Sequence, residues 1–329
     1  MNFSQLMSLA GGHVEARIVQ SAAELGIFDA LGAEPKPADV LARQLKLEAQ
    51  ATELLLNALT ALNLLQKQAQ HFSLAAVSKL YLLRSSPHFV GGMIQFDASL
   101  WSCWEKLPDA LRTGKAVRPP NMYQDDPAET ATFINAMDSL VKARGDADVL
   151  ATVMDWNGVN TMLDIGSGPA SYPIALCQRF ASLKATIFDL PATLSITERF
   201  VRDAGMTGRI GLVAGDYRSD PIPGRYDVAF LSNIIHGENS LKNQALIEKL
   251  AANLNPGGQL IIKDHILDES RANPPVGAIF SLLMLLTTDG GRCYSFSEIA
   301  AWMNHAGLNQ VQQIDLAPPL TSSLVIGTR

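Results

Sequence analysis

The sequence predicts an α/β chain: a mainly parallel sheet in its C-terminal part, preceded by an α-helical, winged-helix-like N-terminal domain. Three observations predict it. From residue 161 onward, short apolar runs alternate with helical stretches, as expected of parallel strands joined by crossover helices. At the head of that alternation an apolar run enters the glycine turn Leu163-Asp-Ile-Gly-Ser-Gly168, and a helical pattern follows. Before residue 85, helical periodicity gives way to a turn, a second helix and a small β-wing.

The totals limit what such a chain can do. With 329 residues, 47% hydrophobic and 18% charged, it can bury a sizeable core and is not disordered. The net charge of −6, with no basic face or tail, argues against a general nucleic-acid or anionic-membrane binder. Cys103, Cys177 and Cys293 stand far apart with no CxxC pair, which fits a reducing compartment. The first residues lack a basic segment followed by an apolar core. The longest apolar run, 279–286, is broken by Ser281 and falls far short of the roughly 20 residues of a membrane span. The expectation is a soluble, cytoplasmic protein with no membrane insertion.

In order, residues 3–31 predict a long and a short helix broken at Gly26, with Val14, Ile18, Ala22, Leu25 and Phe28 at three- and four-residue steps. A loop is expected over 33–37, helices over 38–45 and 49–65, a turn and strand over 66–73, and a helix over 74–83. A DNA-reading helix should present Arg or Lys, but residues 48–65 carry two acids and no base, so nucleic acid is not the expected partner. The apolar excess on this helix and the first suits self-association, a homodimer through the N-terminal helices. Residues 86–116 and 128–153 predict long helices, joined by a linker at 118–127. Their aromatics and methionines pack a core, and some are expected to roof an apolar pocket. Strands are expected at 161–165, 184–189, 210–214, 226–231 and 259–264. Helices are expected at 172–181, 192–204 and 241–254, the last stopped by Asn255-Pro-Gly-Gly258. Residues 308–316 and 322–328 predict a closing hairpin.

Ligands of an open parallel sheet bind beyond the carboxyl ends of its strands. Collected there are Asp164, Gly166, Ser167 and Gly168; Asp189; Gly215, Asp216 and Tyr217; Ser232 and His236; and Lys263, Asp264 and His265. Asp189 lies 21 residues after Gly168, a spacing at which an acid can accept hydrogen bonds from ribose hydroxyls. That spacing fits both dinucleotides and S-adenosylmethionine. Two features favour the latter. The third glycine that a pyrophosphate needs is Ser171, with Pro169 in the turn. Asp164, just before the turn, repels a pyrophosphate but favours the ammonium end of a methionine moiety. No metal site is expected: Asp264 and His265 are adjacent on a strand and face opposite sides, and no His/Cys cluster has ligand spacing.

At these residues the chain resembles the small-molecule O-methyltransferases of the caffeic acid, acetylserotonin and hydroxyneurosporene type, over nearly its whole length. The carriers are Ala23-Glu-Leu-Gly-Ile-Phe-Asp-Ala-Leu31, Leu163-Asp-Ile-Gly-Ser-Gly168, Phe188-Asp-Leu-Pro191, Ala214-Gly-Asp216, His236 after Tyr226-Asp-Val-Ala-Phe-Leu231, and Asn255-Pro-Gly-Gly258. The resemblance implies a winged-helix-like dimerisation domain, set here at 1–96, and a Rossmann-like methyltransferase domain with substrate-covering helices at 97–329. It implies that Gly166 and Gly168 form the cofactor turn, and that Asp189 and Leu190 contact ribose and adenine. Asp216 and Tyr217 match the adenine-side pair. Ser232 stands where relatives often place a lysine near the cofactor. His236 matches the general base, and Asp264 matches one of two acids that flank it.

The chemistry suits such a base. Methyl transfer is an in-line displacement with a good leaving group, so the protein mainly positions the nucleophile. A phenol with a pKa of about 10 must share or lose its proton, and imidazoles titrate near neutral pH. The chain departs from the family in two places. His236 is followed by Gly-Glu-Asn rather than Asp-Trp, and Cys293 occupies the second acid position, with Glu238 the nearest substitute in sequence. The expected enzyme is a homodimeric S-adenosylmethionine-dependent methyltransferase acting on the hydroxyl of a small, largely apolar aromatic compound. Phe133, Met137, Phe280 and Met284 are its expected pocket walls. Methylation of carbon or sulfur on the same fold is the alternative within the class. An S-adenosylmethionine sensor or DNA-binding regulator is the alternative outside it.

Overall fold

The computed structural model describes residues 1–119 and 126–329, so most of the expected linker at 118–127 lies outside the described residues. The chain forms two compact units, one from residues 1–101 and 135–143, the other from 102–134 and 144–329.

The first unit opens with helices Phe3–Glu24 and Ile27–Leu31, separated at Gly26, whose φ of 74° suits a residue without a Cβ. Helices Ala38–Leu45 and Ala49–Ala61 follow, then strands β2 (Leu65–Gln68) and β3 (His71–Leu74) and helix Ala76–Tyr81. The loop expected at 33–37 ends in a two-residue strand, β1 (Lys36–Pro37), which pairs with β3; the wing therefore has three antiparallel strands ordered β1-β3-β2. The helix expected to reach residue 65 stops at Ala61, because Leu65 pairs with Leu74 instead. Phe28, Leu31, Leu41, Leu56, Leu59 and Phe72 close the core. Phe3, Leu6, Met7, Leu9, Val14 and Leu54 are left exposed.

Residues 86–116 do not form one helix. They form Gly91–Ser99, Trp101–Trp104 and Leu107–Thr113, since Pro108 has no N–H to continue a ladder and starts a new helix instead. The helix expected at 128–153 is likewise two, Pro127–Arg144 and Asp146–Val153, broken where Gly145 takes a left-handed conformation.

The second unit is built on a seven-stranded sheet ordered β6-β5-β4-β7-β8-β10-β9. Its strands are β4 (Thr161–Ile165), β5 (Lys184–Asp189), β6 (Ile210–Ala214), β7 (Tyr226–Ser232), β8 (Leu254–Asp264), β9 (Asn309–Asp315) and β10 (Ser323–Thr328). The first five are parallel, and the C-terminal hairpin adds antiparallel β10 and β9. Helices Ser171–Arg179, Pro191–Asp203 and Ser240–Ala252 cross between strands. The stop expected at 255–258 is instead a bulge inside β8: Leu254 opposes Tyr226 and Gln259 opposes Val228. Helices Pro275–Thr287 and Phe296–His305 precede the hairpin and had no counterpart among the expected elements. The chain runs β4, β5, β6 toward one edge, then returns to place β7 against the other side of β4. The crevice of such a sheet opens at this reversal, between the ends of β4 and β7.

Candidate active site

The turn after β4 is held from several sides. Gly166 and Gly168 have φ of 64° and 58°, so both occupy backbone space that side chains rarely enter. A Cβ on Gly166 would stand 2.5 Å from Cδ1 of Ile234, in the loop after β7. The Gly168 carbonyl accepts from the Thr197 hydroxyl at 2.6 Å, and its N–H donates to Asp189 Oδ2 at 2.9 Å. Asp189, at the end of β5, also accepts from Leu190 N–H at 2.8 Å. The Thr193 hydroxyl is a third donor to this carboxylate. Burial pushes its carboxyl up to about 6.

Asp164 is fully buried at the end of β4. Its Oδ2 accepts from Ser167 Oγ at 2.6 Å, while Oδ1 has no hydrogen-bond partner. Burial pushes this carboxyl up to about 8 against the pull of the Ser167 bond, with the Asp189 charge adding to the rise. A buried acceptor without a donor costs free energy unless a ligand supplies one. An ammonium group does so, and it also stabilises the ionised form. The orphaned oxygen and the two left-handed glycines thus fit the amino-acid end of S-adenosylmethionine. Beyond β6, Asp216 caps its own turn by accepting from Arg218 N–H at 2.9 Å, and Tyr217 is half-buried against the main core.

Across the crevice, residues Ile235–Gly237 form a turn of 3₁₀ helix that carries His236. Its Nδ1 lies 2.8 and 3.0 Å from the two oxygens of Asp264, at the end of β8. The Asp264 side chain has no exposed surface, against 12% for His236. Burial alone raises the Asp264 carboxyl, but the charge and hydrogen bond of His236, joined by those of His265, outweigh it and hold the group below the usual carboxylate range. Asp264 is therefore ionised and fixes the proton on Nδ1, which leaves Nε2 as the ring nitrogen able to take another.

Cys293 is buried, and its backbone N–H donates to Ser281 Oγ at 3.1 Å. Burial, with the nearby Asp264 charge, pushes its thiol up to about 12, so it brings no second charge to His236. Glu238 does not take over that role either. Its carboxylate accepts from Tyr217 and Arg218 and makes no hydrogen bond to His236.

Among the expected pocket walls, Phe280 touches His236: its ring meets that of His236 edge-on at 4.8 Å and that of His265 at 5.1 Å. Met284, one turn further on helix Pro275–Thr287, is buried. Phe133 is half-buried beside Ile134, whose Cδ1 lies 3.3 Å from where a Cβ on Gly168 would stand. Met137 belongs to the first unit.

Two features go beyond the sequence, which places Lys263 at a strand end without its partners. Lys263, one residue before Asp264 and facing the other side of the sheet, is buried with its ammonium 2.9 Å from Asp146 Oδ2. Asp146 also accepts from Arg144 at 2.9 and 3.0 Å and from the Tyr172 hydroxyl at 3.2 Å. Tyr172 in turn shares a hydrogen bond with Ser232, so a buried ion cluster backs that residue. The second feature is Gly291. A Cβ there would stand 2.3 Å from the His236 carbonyl oxygen and 2.9 Å from the Gly237 carbonyl carbon. Backbone cannot yield as a side-chain tip does, so Gly291→Ala is expected to displace the turn that carries His236. Overpacking of this kind costs about 1–3 kcal/mol, and a small misplacement near the reacting atoms lowers kcat by about a hundredfold. Steady-state kinetics beside calorimetry should show kcat reduced and S-adenosylmethionine affinity kept.

The comparisons with known proteins bear on this arrangement. The family model for the O-methyltransferase domain matches residues 104–309, and that for the O-methyltransferase dimerisation domain matches residues 7–84. A 3-hydroxy-5-methyl-1-naphthoate 3-O-methyltransferase from Streptomyces sahachiroi is 30% identical, over 98% of this chain and 94% of its own. A tetracenomycin polyketide synthesis 8-O-methyl transferase from Streptomyces glaucescens is 29% identical, over 98% and 96%. The crystal structure of human N-acetylserotonin methyltransferase in complex with S-adenosylmethionine superposes with a TM-score of 0.91 at 23% identity, covering 99% of this chain and 97% of that one. The chain belongs to the S-adenosylmethionine-dependent O-methyltransferase family and carries both its catalytic and its dimerisation domain.

Proposed function

We propose that this O-methyltransferase acts on a hydroxyl of a small, largely apolar aromatic compound, with His236 as the general base. The observation that carries the reading is the His236–Asp264 pair: a buried, ionised carboxylate holds Nδ1 and leaves Nε2 to take the proton of the hydroxyl. Phe280 beside it offers an apolar edge suited to an aromatic ring. The printed activities of the two Streptomyces relatives, on a naphthoate hydroxyl and in tetracenomycin polyketide synthesis, support the same acceptor class.

S-adenosylmethionine supplies an electrophilic methyl group on its sulfonium. Asp164, Gly166 and Gly168 hold its amino-acid end. Asp189 and Leu190 hold its ribose and adenine, Asp216 and Tyr217 the adenine side, and Ser232 lies close by. Phe133, Phe280 and Met284 wall the acceptor pocket. Residues 1–96 serve dimerisation and 97–329 serve catalysis. The exposed apolar side chains of helix Phe3–Glu24 support a homodimer through the N-terminal helices. Among the described residues no helix is long and apolar enough to cross a membrane.

The test is methyl transfer itself. Purified protein with methyl-labelled S-adenosylmethionine is offered hydroxynaphthoates and N-acetylserotonin, and products are read by mass spectrometry and NMR. A labelled methoxy group on an aromatic acceptor is the expected product. Label on carbon or on a thiol sulfur replaces the hydroxyl reading. No transfer, with tight sequence-dependent retardation of DNA fragments, points to a regulator instead.

A further inference from the structure

Two residues beyond the base, Glu238 is nearly completely buried, at 2% exposure. Its carboxylate is not idle. One oxygen accepts from the Tyr217 hydroxyl at 2.9 Å and from Arg218 Nε at 2.5 Å; the other lies 3.6 Å from Lys242 Nζ. Tyr217 and Arg218 belong to the loop after β6, on the adenine side of the proposed cofactor site. The backbone of Glu238 is anchored as firmly. Its carbonyl accepts from the Tyr294 hydroxyl at 2.5 Å and from Asn243 Nδ2 at 3.2 Å, and the same amide bonds the Ile235 carbonyl at 2.8 Å. The main chain of Glu238 is thus part of the turn that carries His236, while its side chain reaches the loop that carries Tyr217.

A buried carboxylate needs charged or hydrogen-bonded partners, and removing it strands those partners in turn. Arg218 has no carboxylate other than Glu238 within ion-pair distance among the described residues. The geometry points to Glu238 as a positioning residue that ties the cofactor loop to the base turn, so that one carboxylate sets both the adenine-side contact and the place of His236. The inference rests on the reading of Tyr217 as a cofactor contact and of His236 as the base.

Calorimetric titration with S-adenosylmethionine, followed by steady-state kinetics, tests it on the full chain. Tyr217→Phe, which cuts one of the links that Glu238 makes, is expected to weaken cofactor binding a few-fold and to lower kcat at saturating cofactor by less than Glu238→Ala does. Glu238→Ala is expected to weaken binding by about tenfold or more, the scale of losing hydrogen bonds to a charged group, and also to lower kcat at saturation. Glu238→Gln, which keeps an acceptor for the Tyr217 hydroxyl but not the charge facing Arg218, is expected in between. The double variant Tyr217→Phe/Glu238→Ala should bind no more weakly than Glu238→Ala, because both changes break one link. A folded Glu238→Ala protein with affinity and kcat within about twofold of wild type overturns the inference, as do losses that multiply in the double variant. If the alanine variant does not fold, Glu238→Gln and Arg218→Gln decide by the same criteria. A wild-type protein that binds no S-adenosylmethionine overturns the functional reading itself, which separates the two failures.

Discussion

Replacing His236 by alanine is expected to lower kcat by about a hundredfold to ten-thousandfold, the range that a positioned proton acceptor contributes. Cofactor affinity should hardly change. The imidazole is bound to Asp264 and stacked edge-on to Phe280, and it shares no hydrogen bond with the glycine turn or with Asp189. Asp264→Asn is the companion variant. It keeps the volume of the carboxylate, but an amide can present either N–H or oxygen to Nδ1, so the tautomer is no longer fixed. The Asn variant should lose activity, though less than the alanine variant at 236, with stability lowered because a buried charge partner is gone. Single-turnover methylation beside calorimetry reads both effects. Unchanged turnover in His236→Ala would remove the histidine from the chemistry.

The second large effect concerns pH. In the ligand-free protein the Asp164 carboxyl titrates at about 8 and Asp189 at about 6, both raised chiefly by burial. An incoming ammonium group is best met by an ionised Asp164, so binding expels a proton wherever that carboxyl is protonated. Affinity for S-adenosylmethionine should therefore increase as pH rises from about 6 to about 8, approaching tenfold per unit, and level off above. Titrations in buffers of different ionisation enthalpy should reveal the released proton. Asp164→Asn should bind weakly with the dependence abolished. Stability of the ligand-free protein carries the opposite sign. Both folded values lie above those of the unfolded chain, so the folded state holds more protons between about 4 and 8 and loses stability as pH rises through that window. Affinity that does not vary with pH would show that Asp164 does not meet the ammonium.

Much of this site is local enough to be legible in the residues alone. The glycine turn, the acid before it and the acid at the next strand end lie within one strand–helix–strand unit, where spacing suffices to place them at the strand ends. The five parallel strands were legible for the same reason, each a short apolar run between helical stretches. Elements that depend on distant partners were not. β1 exists only because Lys36 and Pro37 find β3, and the bulge at 255–258 only because β7 sets the register of β8. Helix Pro275–Thr287 is apolar nearly all round, and Ile279 is 60% exposed within it, so no polar face marks it as a helix. The role expected of Asp264 follows from a family resemblance rather than from spacing. The partners of Glu238 and Lys263 are set by how strand ends and loops converge, which no linear pattern encodes.

The reversal of strand order has a geometric consequence. The glycine turn leaves β4 and the turn that carries His236 leaves β7, and these strands are direct neighbours, joined in register from Met162↔Val228 to Ile165↔Leu231. The two loops therefore spring from backbones one strand spacing apart, about 4.8 Å. Hydrogen-bonded main chain, rather than side-chain packing, is the ruler for their separation. Walls made of helices can be recarved residue by residue to admit a different acceptor without touching that ruler. A scaffold of this kind can change what it methylates while keeping the distance over which it works.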